Sequence, residues 1–540
     1  MNIMSKEIKI TIVLKNDKEN ISDKEEKEQF CVVTHDSSMT IMSTLLQKGL
    51  IEGSFCGGRG DCGRCRVQFL KGITAPTAIE RNVMTAEELR QGYRLACLAR
   101  PTDDCVIRLE HAEEKKIAII SNMIDVTQKY DQISQQKDRT KNQKADVSAN
   151  YETTDVIIAV DLGTTTIAMQ LMEIGTGRII DTYCEMNPQR RYGSDVLSRI
   201  QASCDGHREM LQRLVSDTLE RGVIQFRKKT DRIGCMCIAG NTAMEHLLMG
   251  YDVLSLGYSP FVPVEIGLQE YEFPGWDFKV WITPGISAFV GGDIVAGLYA
   301  LHLLPKVNRD KFPDKKTCDF KNEVVQYRNQ SDQRRAVRLL IDLGTNGEMA
   351  ITDGIVMIVT ATAAGPAFEG GAGAGIIGSD MIANVAKLLR QGVLDETGLL
   401  CEPYFSEGIS VGDPAVCLRN TDVRNLQMAK AAVRAGIEIL WKKMGCPAIE
   451  HVYLAGGFGY YLNVEAAFRI GLLPEHMRGK VTAVGNTSLS GAYHIGCDLL
   501  QDETAKERLE EGISSIISVN LAEQEEFEEL YVRYMNLKTM

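Results

Sequence analysis

The 540-residue sequence lacks the charge and hydropathy features of a nucleic-acid or membrane protein. It has 60 Lys and Arg against 72 Asp and Glu, a net charge of -12. A deficit of basic residues argues against nonspecific binding to nucleic acid or to an anionic membrane surface. Its most apolar long stretch, SAFVGGDIVAGLYALHLL, is interrupted by Asp293 and several glycines, which is atypical of a membrane span. We therefore expect neither nucleic acid nor a membrane among its partners.

The sequence also lacks the marks of a secreted, disulfide-rich protein. Its first residues, MNIMSKEIKITIVLKND, do not contain the apolar core and cleavage site of a signal peptide. Fifteen cysteines suit a disulfide framework only in a short secreted chain, and this chain is long. We therefore predict a cytoplasmic protein, in which clustered thiols bind metal and scattered ones are ordinary core residues.

The length and the changes in composition predict several domains. Residues 1–115 contain short alternating strands, with Ile8, Ile10 and Ile12 on one face. Residues 126–155 are polar and nearly devoid of large apolar side chains, which predicts a flexible linker over residues 116–154. From 155 to 540, apolar strands alternate with amphipathic helices, as in an α/β protein. A second polar stretch, 306–335, is predicted to be a surface insertion.

The stretch FCGGRGDCGRC, residues 55–65, holds three closely spaced cysteines. Cys56, Cys62 and Cys65 have the spacing CxxxxxCxxC, and Cys97 follows in the segment LACLAR. Four thiolates complete a coordination set around zinc or an iron-sulfur cluster. Zinc ribbons usually use two CxxC pairs, so three ligands on one loop favour iron and sulfur, and zinc is the alternative. Glycines let such a loop curl around a cluster, and four are present: Gly57, Gly58, Gly60 and Gly63.

This loop resembles those of the 2Fe-2S ferredoxins. The spacing is one residue longer than the plant-type pattern and is most similar to the adrenodoxin-type branch. The resemblance covers about residues 5–112. It implies a β-grasp fold in which Cys56, Cys62, Cys65 and Cys97 bind a 2Fe-2S cluster.

A second feature occurs twice in the larger part of the chain. VIIAVDLGTTTIAMQL, residues 156–171, recurs in form as RLLIDLGTNGEMAI, residues 338–351, so that Asp161 and Asp342 correspond. Such a turn offers backbone amides and hydroxyls to phosphate oxygens, and its leading carboxylate can hold Mg²⁺ or its waters. A single copy is as well explained by a plain hairpin turn. Two copies indicate an internal duplication that binds phosphate.

Glycines also follow an apolar strand in HVYLAGGFGYYLN. Gly456 and Gly457 there allow either close approach of a ligand or a tight strand-to-helix turn. Beside the paired DLGT turns, this segment resembles the adenosine motif of the ASKHA superfamily, which includes acetate and sugar kinases and actin. The resemblance covers roughly residues 154–500. It implies a duplicated ribonuclease-H-like ATPase domain whose two halves close on ATP.

The ASKHA resemblance also implies roles for individual residues. Asp161 and Asp342 are the expected catalytic carboxylates at Mg²⁺, and Glu348 is expected to position a water. Gly456 and Gly457 are expected near the nucleoside. The remaining residues expected at the phosphates and metal are Gly163, Thr164, Thr165, Gly344, Thr345 and Asn346.

A ferredoxin joined to an ASKHA ATPase resembles the reductive activators of corrinoid proteins, as do the phrases AGNTAMEHLLMG, ATAAGPAFEGG and NTSLSGA. This resemblance implies ATP-dependent, one-electron reduction of Co(II) to Co(I) in a corrinoid protein of a methyl-transfer system. It also implies a separate electron donor for the cluster and a homodimer. Larger members carry an extra domain between ferredoxin and ATPase, which the short linker here lacks.

Three other functions are compatible with the residues. The first is an ASKHA kinase of small molecules, which has no use for a cluster. The second is an ATP-dependent electron donor to another metalloenzyme, like the activators of acyl-CoA dehydratases, although those bind a bridging 4Fe-4S cluster. The third is a redox-sensing or chaperone-like binding module.

Overall fold

The computed structural model describes residues 6–14, 29–47, 60, 65–109, 156–193, 195–305, 335–344, 346–364, 368, 378–412 and 416–537. The predicted linker, all of the predicted surface insertion except its last residue, Cys56, Cys62 and Thr345 lie outside these residues. The chain forms two compact units. The first is Met1–Lys116 with Asn187–Val215, and the second is Ile117–Met186 with Ser216–Met540.

The first unit contains a five-stranded mixed sheet. Its strands are β1 (Glu7–Leu14), β2 (Gln29–Asp36), β3 (Arg66–Lys71), β4 (Tyr93–Leu95) and β5 (Cys105–Leu109), and its helices are α1 (Ile41–Gln47), α2 (Ala78–Val83) and α3 (Ala86–Arg90). The strand order is β2-β1-β5-β3-β4, with β1 and β5 parallel and the other pairs antiparallel. Ile8, Ile10 and Ile12 are buried, as their alternation predicts. The β-grasp prediction is confirmed.

The segment Asn187–Val215 of the first unit is helical. It contains a 3₁₀ turn (Pro188–Arg191), α4 (Val196–Ala202), a π-helical turn (Ser203–His207) and the start of α5 (Arg208–Arg227). Arg199 is fully buried here, and its guanidinium donates to the Gly193 carbonyl (3.0 Å) and to Gln189 Oε1 (3.3 Å). These bonds satisfy a charge that would be costly to bury alone.

The second unit contains two six-stranded sheets. The first sheet has β6 (Val156–Leu162), β7 (Thr166–Glu173), β8 (Ile179–Met186), β9 (Ile233–Gly240), β10 (Gln269–Tyr271) and β11 (Lys279–Ile282). The second has β12 (Val337–Leu343), β13 (Gly347–Thr352), β14 (Met357–Thr362), β17 (Ile449–Ala455), β18 (Val481–Gly485) and β19 (Ile517–Ser518), and β15 (Ile409–Val411) pairs with β16 (Val416–Leu418). The helices of this unit after α5 are α6 (Thr242–Met249), α7 (Leu254–Gly257), α8 (Gly292–Ala300), α9 (Gly378–Arg390), α10 (Asn420–Lys443), α11 (Gly456–Tyr461), α12 (Val464–Arg469), α13 (Thr487–Gln501), α14 (Ala505–Ser514) and α15 (Phe527–Arg533), with short 3₁₀ turns at Glu475–Met477 and Leu521–Glu523.

The two large sheets repeat one topology. The order β11-β9-β6-β7-β8 in the first corresponds to β18-β17-β12-β13-β14 in the second. In each, three antiparallel strands are followed by two strands parallel to the first of them. This is the ribonuclease-H-like arrangement, and it confirms the duplication predicted from the two DLGT turns.

Helices α8 and α13 cross between the two halves, and Val295 and Ala296 of α8 also pack in the core of the first sheet. α8 follows β11 of the first sheet, yet its Ile294 and Leu298 pack in a core with Leu340 of the second sheet. α13 follows β18 of the second sheet, yet its Leu489 packs in a core with Ile157 of the first. Each half therefore covers a face of the other half's sheet.

Small residues let α8 and α13 approach closely. A Cβ atom at Gly491 would overlap the carbonyl oxygen of Ala296, and one at Gly297 would lie 2.8 Å from Thr487 Oγ1. The apolar stretch around Asp293 is therefore a buried helix between two sheets. Among the helices that the structure describes, none has the length and apolar character needed to cross a membrane.

Candidate nucleotide and cluster sites

Asp161 and Asp342 occupy corresponding positions in the two halves. Each is the penultimate residue of its strand and precedes a Leu-Gly turn. Asp161 lies beside Ala239 of the parallel neighbour β9, and Asp342 lies beside Ala455 of β17. On its other side Asp342 faces Glu348 of β13. The repeated topology thus places both predicted carboxylates at equivalent ends of the two sheets.

Asp161 is held by side chains from the other half of the unit. Asn486 Nδ2 donates to Asp161 Oδ2 (2.7 Å), and Ser488 Oγ donates to Oδ1 (3.1 Å). Asn486 also caps α13, because its Oδ1 accepts from the amide of Leu489 (2.8 Å). Neither residue was assigned a role from the sequence. The available signal was an Asn directly after an apolar strand and before a helical stretch, which is typical of a helix cap.

The first predicted phosphate turn, Gly163, Thr164 and Thr165, joins β6 to β7. A Cβ atom at Gly163 would lie 2.6 Å from the carbonyl oxygen of Thr166, so the turn requires glycine. Thr164 is buried, and its hydroxyl accepts from Asn241 Nδ2 (2.9 Å). Asn241 also caps the helix after β9, as Asn486 does after β18. The recurring Gly-Asn-Thr sequence therefore ties Asp161 and the turn that follows it to two helix N-termini.

The second predicted phosphate turn joins β12 to β13. The amide of Gly344 donates to the carbonyl of Asn346 (2.9 Å), and the side chain of Asn346 bonds to Glu348. Gly456 adopts a φ of 80°, and a Cβ atom there would overlap Asp342 Oδ1. Gly456 therefore packs against the carboxylate, and Gly457 continues α11. A role for these two glycines at the nucleoside stays a prediction.

Five carboxyl groups form an acidic cluster: Asp161, Glu245, Asp293, Asp342 and Glu348. Burial raises the pKa of each. For all but Asp161, repulsion from neighbouring carboxyl groups raises the pKa further. For Asp161, the hydrogen bonds from Asn486 and Ser488 oppose the increase in pKa that burial causes. The resulting pKa is about 7 for Asp293 and about 8 for Asp342. Such a cluster attracts cations.

The acidic cluster suits a magnesium nucleotide better than a metal bound by protein alone. Among the described residues, no three His, Cys, Asp or Glu side chains converge closely enough to hold a metal ion. Mg²⁺ is usually bound through one or two carboxylates, with phosphate oxygens and waters completing its shell. Asp161 and Asp342, each followed by a phosphate-type turn, fit that pattern.

Two members of the acidic cluster, Glu245 and Asp293, have no role predicted from the sequence. Asp293 is the second residue of α8, and Glu245 accepts from the amide of Gly240 (3.1 Å) and from Thr283 Oγ1 (3.4 Å). Asp293 was noted only as a charge that interrupts an apolar stretch. Its proximity to both halves follows from the position of α8 between the two sheets.

The acidic cluster predicts a pH-dependent stability. Asp293 and Asp342 have native pKa values above the ordinary 3.8, so the native state binds more protons than the unfolded state between about pH 4 and pH 8. Their contribution is fully present below about pH 4 and is lost as pH rises to about 8. We expect the melting temperature of nucleotide-free Asp293→Asn, measured by calorimetry, to fall less over this range than that of the unaltered protein. Parallel curves would contradict this.

Two of the four predicted cluster ligands lie within the described residues, and they are adjacent. Cys65 immediately precedes β3, and Cys97 lies two residues after the end of β4. The two cysteines are close because β3 and β4 are paired, with Arg66 opposite Leu95. The amide of Ala96 donates to the Cys65 carbonyl (2.7 Å), and 3.2 Å separates the two sulfur atoms. Both thiols are free of disulfides. Two adjacent thiols outside any disulfide fit a soft metal centre such as an iron-sulfur cluster.

Three family models match the chain. The model of the 2Fe-2S iron-sulfur cluster binding domain matches residues 23–102. The model of the RACo middle region matches residues 156–306, and that of the C-terminal domain of RACo, the ASKHA domain, matches residues 336–374 and 372–540. The two RACo models correspond to the two sheets of the second unit. The predicted 2Fe-2S, ATP and Mg²⁺ cofactors are those of these domains.

Individual relatives agree with the models. The corrinoid activation enzyme RamQ of Eubacterium limosum is 28% identical over an alignment of 403 residues that covers 62% of this chain and 63% of RamQ. The [Co(II) methylated amine-specific corrinoid protein] reductase of Methanosarcina barkeri is 22% identical over an alignment of 408 residues that covers 63% of this chain and 69% of that protein. The alignment with RamQ thus spans less than two thirds of the length of RamQ.

A solved structure shares the fold over almost the whole chain. The structure of a reductive activator for corrinoid, iron-sulfur protein matches 98% of this chain and 98% of its own, with a TM-score of 0.58 and 23% identity. Together with the 2Fe-2S model, the two RACo models account for most of the sequence. The chain therefore belongs to the RACo family, with an N-terminal 2Fe-2S ferredoxin domain followed by a duplicated ASKHA domain.

Proposed function

We propose that this protein reductively activates a corrinoid protein of a methyl-transfer system, using ATP to drive the one-electron reduction of Co(II) to Co(I). The observation that carries this proposal is that one chain joins a 2Fe-2S domain to a duplicated ATP fold. Relatives with this similarity are named as an activator and a reductase of corrinoid proteins. A kinase of small molecules has no use for the cluster.

The energetics explain why one chain needs both parts. Plant-type 2Fe-2S clusters have potentials near about -400 mV, and reduction of Co(II) to Co(I) demands a strong reductant. Each ~59 mV of unfavourable difference lowers the one-electron equilibrium tenfold. ATP assists only if its binding or hydrolysis favours a complex in which the cobalt is more easily reduced, because differential affinity alone shifts an equilibrium.

In this proposal the residues of the second unit hold Mg-ATP. Asp161 and Asp342 hold Mg²⁺ or its waters, and the two turns that follow them give amides and hydroxyls to the phosphates. Glu348 orients a water, and Gly456 and Gly457 lie near the nucleoside. Because Asn486 and Ser488 reach Asp161 from the second half, a nucleotide at these carboxylates engages both halves at once. ATP binding therefore affects both halves of the second unit.

The ferredoxin domain carries the electron. Cys56, Cys62, Cys65 and Cys97 are its proposed ligands, and the bound 2Fe-2S cluster supplies one low-potential electron. The partners are the corrinoid protein and an electron donor that reduces the cluster, in the cytoplasm, with the activator as a homodimer. Residues 116–154 act as a tether that raises the effective concentration of the ferredoxin domain.

The decisive experiment supplies the protein with Mg-ATP, a reductant and a panel of purified Co(II) corrinoid methyl-transfer proteins. We expect the Co(II) absorption to disappear and the Co(I) band to appear with at least one of them, only when ATP is present. Omission of ATP and omission of the activator are the controls. ATP consumption stimulated by a small-molecule acceptor, with every corrinoid left as Co(II), would instead indicate a kinase. Electron transfer to a non-corrinoid metalloenzyme alone would indicate a different acceptor.

A further inference from the structure

Two identical capping motifs follow each other in the ferredoxin domain. In TAIE the amide of Thr77 donates to Glu80 Oε2 (2.7 Å), and in TAEE the amide of Thr85 donates to Glu88 Oε2 (2.8 Å). Each threonine hydroxyl also donates to the same oxygen. Capping the helix therefore occupies only one oxygen of each carboxylate. The two glutamates differ in what the other oxygen does.

The second oxygen of Glu80 binds the backbone of β4. Glu80 Oε1 accepts from the amide of Leu95 at 2.7 Å, and both residues are almost completely buried. β4 lies at the edge of the sheet. The next amide, that of Ala96, donates toward β3 at Cys65, so the amide of Leu95 points away from the sheet. A buried amide without an acceptor is costly, and the Glu80 carboxylate supplies that acceptor.

Leu95 is also the base of the turn that presents Cys97. Its carbonyl accepts from the amides of Leu98 and Ala99, both at 2.9 Å. Leu95 is thus fixed on its amide side by Glu80 and on its carbonyl side by the turn that encloses Cys97. Cys97 is only two residues along the chain from Leu95. A displacement of Glu80 would therefore be passed through the backbone to the sulfur of Cys97.

We propose that Glu80 is a positioning residue for the 2Fe-2S cluster, holding through Leu95 the turn that presents Cys97. This inference rests on the proposed role of Cys97 as a ligand. The buried carboxylate also disfavours the extra negative charge of a reduced cluster, which keeps the potential low. Arg94 attracts Glu80 electrostatically, but its guanidinium donates to the carbonyls of Thr74, Leu89 and Tyr93.

Glu80→Gln tests the proposal with little change in volume. One acceptor oxygen becomes an amide donor, so either Leu95 or Thr77 loses its acceptor, and a buried negative charge is removed. We expect a less negative midpoint potential in a redox titration of the full-length protein and altered g values in the EPR spectrum of the reduced cluster. The rate of ATP hydrolysis should stay unchanged.

Glu88→Gln is the matched control. It alters the same capping motif and removes the same charge, but the second oxygen of Glu88 pairs with the side chain of Arg66, which is 35% exposed. We expect a much smaller shift in potential and the unaltered EPR spectrum. Equal shifts in the Gln variants of Glu80 and Glu88 would overturn the proposal, because they would reflect charge or helix capping alone.

Glu80→Asp separates position from charge and carries the test if Glu80→Gln does not fold. The shorter side chain keeps the charge but cannot span both Thr77 and Leu95, so the EPR spectrum should change. An unaltered spectrum and potential in the folded Glu80 variants would refute the positioning role. A Cys97→Ser variant that kept the original cluster would instead show that Cys97 is not a ligand. None of these measurements depends on corrinoid activation.

Discussion

Exchange of Cys97 or Cys65 for serine is expected to remove the 2Fe-2S cluster and with it all corrinoid activation. A serine oxygen is a harder and weaker ligand for iron than a thiolate, and these two sulfurs lie only 3.2 Å apart. Iron should fall from about two atoms per chain, the content of a 2Fe-2S cluster, to nearly none, and acid-labile sulfide should be lost with it. Iron and sulfide analysis, with the visible spectrum, measures this directly.

Cys31→Ser is the control for the cysteine variants. Cys31 is a half-buried thiol on β2 of the same domain, outside the CxxxxxCxxC pattern. Its replacement should leave the cluster intact, and all three variants should hydrolyse ATP. Purified protein with one zinc per chain and no labile sulfide would show that the four cysteines bind zinc instead.

The Asp342→Asn variant is expected to hydrolyse ATP at least about 100-fold more slowly, the upper end of the loss seen when a partner in the outer shell of a metal is removed. The amide keeps the size of the side chain but cannot ionise, so it removes the carboxylate proposed to hold Mg²⁺ or its waters. Asp161→Asn should have a similar effect, because both turns are expected to bind the same phosphates. Steady-state phosphate release with varied Mg²⁺ measures the loss.

Asp353→Asn is the matched control on the same hairpin. Glu348 lies near the start of β13, and Asp353 lies just beyond its end. Asp353 Oδ1 accepts from the amides of Ile355 and Val356. Asparagine preserves that turn, so hydrolysis should be unchanged. In all three aspartate variants the cluster spectrum should remain normal. Normal hydrolysis in both Asp161→Asn and Asp342→Asn would remove these carboxylates from the ATP site.

The paired carboxylates and the paired cysteines could be predicted because their signals are local. An apolar strand ending in Asp-Leu-Gly-Thr predicts a turn wherever it occurs, and its recurrence predicted the repeated sheet topology. The cysteine spacing likewise indicated a soft metal centre. In both cases a few neighbouring residues carry the chemistry.

Other members of the sites could not be found this way. Asn486 binds Asp161 across 325 residues of sequence, and Asp293 joins the acidic cluster from a helix whose sequence is otherwise that of an apolar core. Glu80 and Glu88 have the same local motif, yet only Glu80 reaches the strand before Cys97. Identical local chemistry had two different tertiary outcomes.

The sequence by itself therefore determined the two domain types, the duplication and the residues at the strand ends, since hydrophobic alternation, turn chemistry and ligand spacing act over a few residues. Only the tertiary structure decided which helix ends meet those strands. Close packing at Gly297 and Gly491 lets α8 and α13 cross between the halves. That crossing carries Asp293 to Asp342 and brings Asn486 to Asp161, because the position of a helix end depends on the packing of both sheets and not on its own sequence.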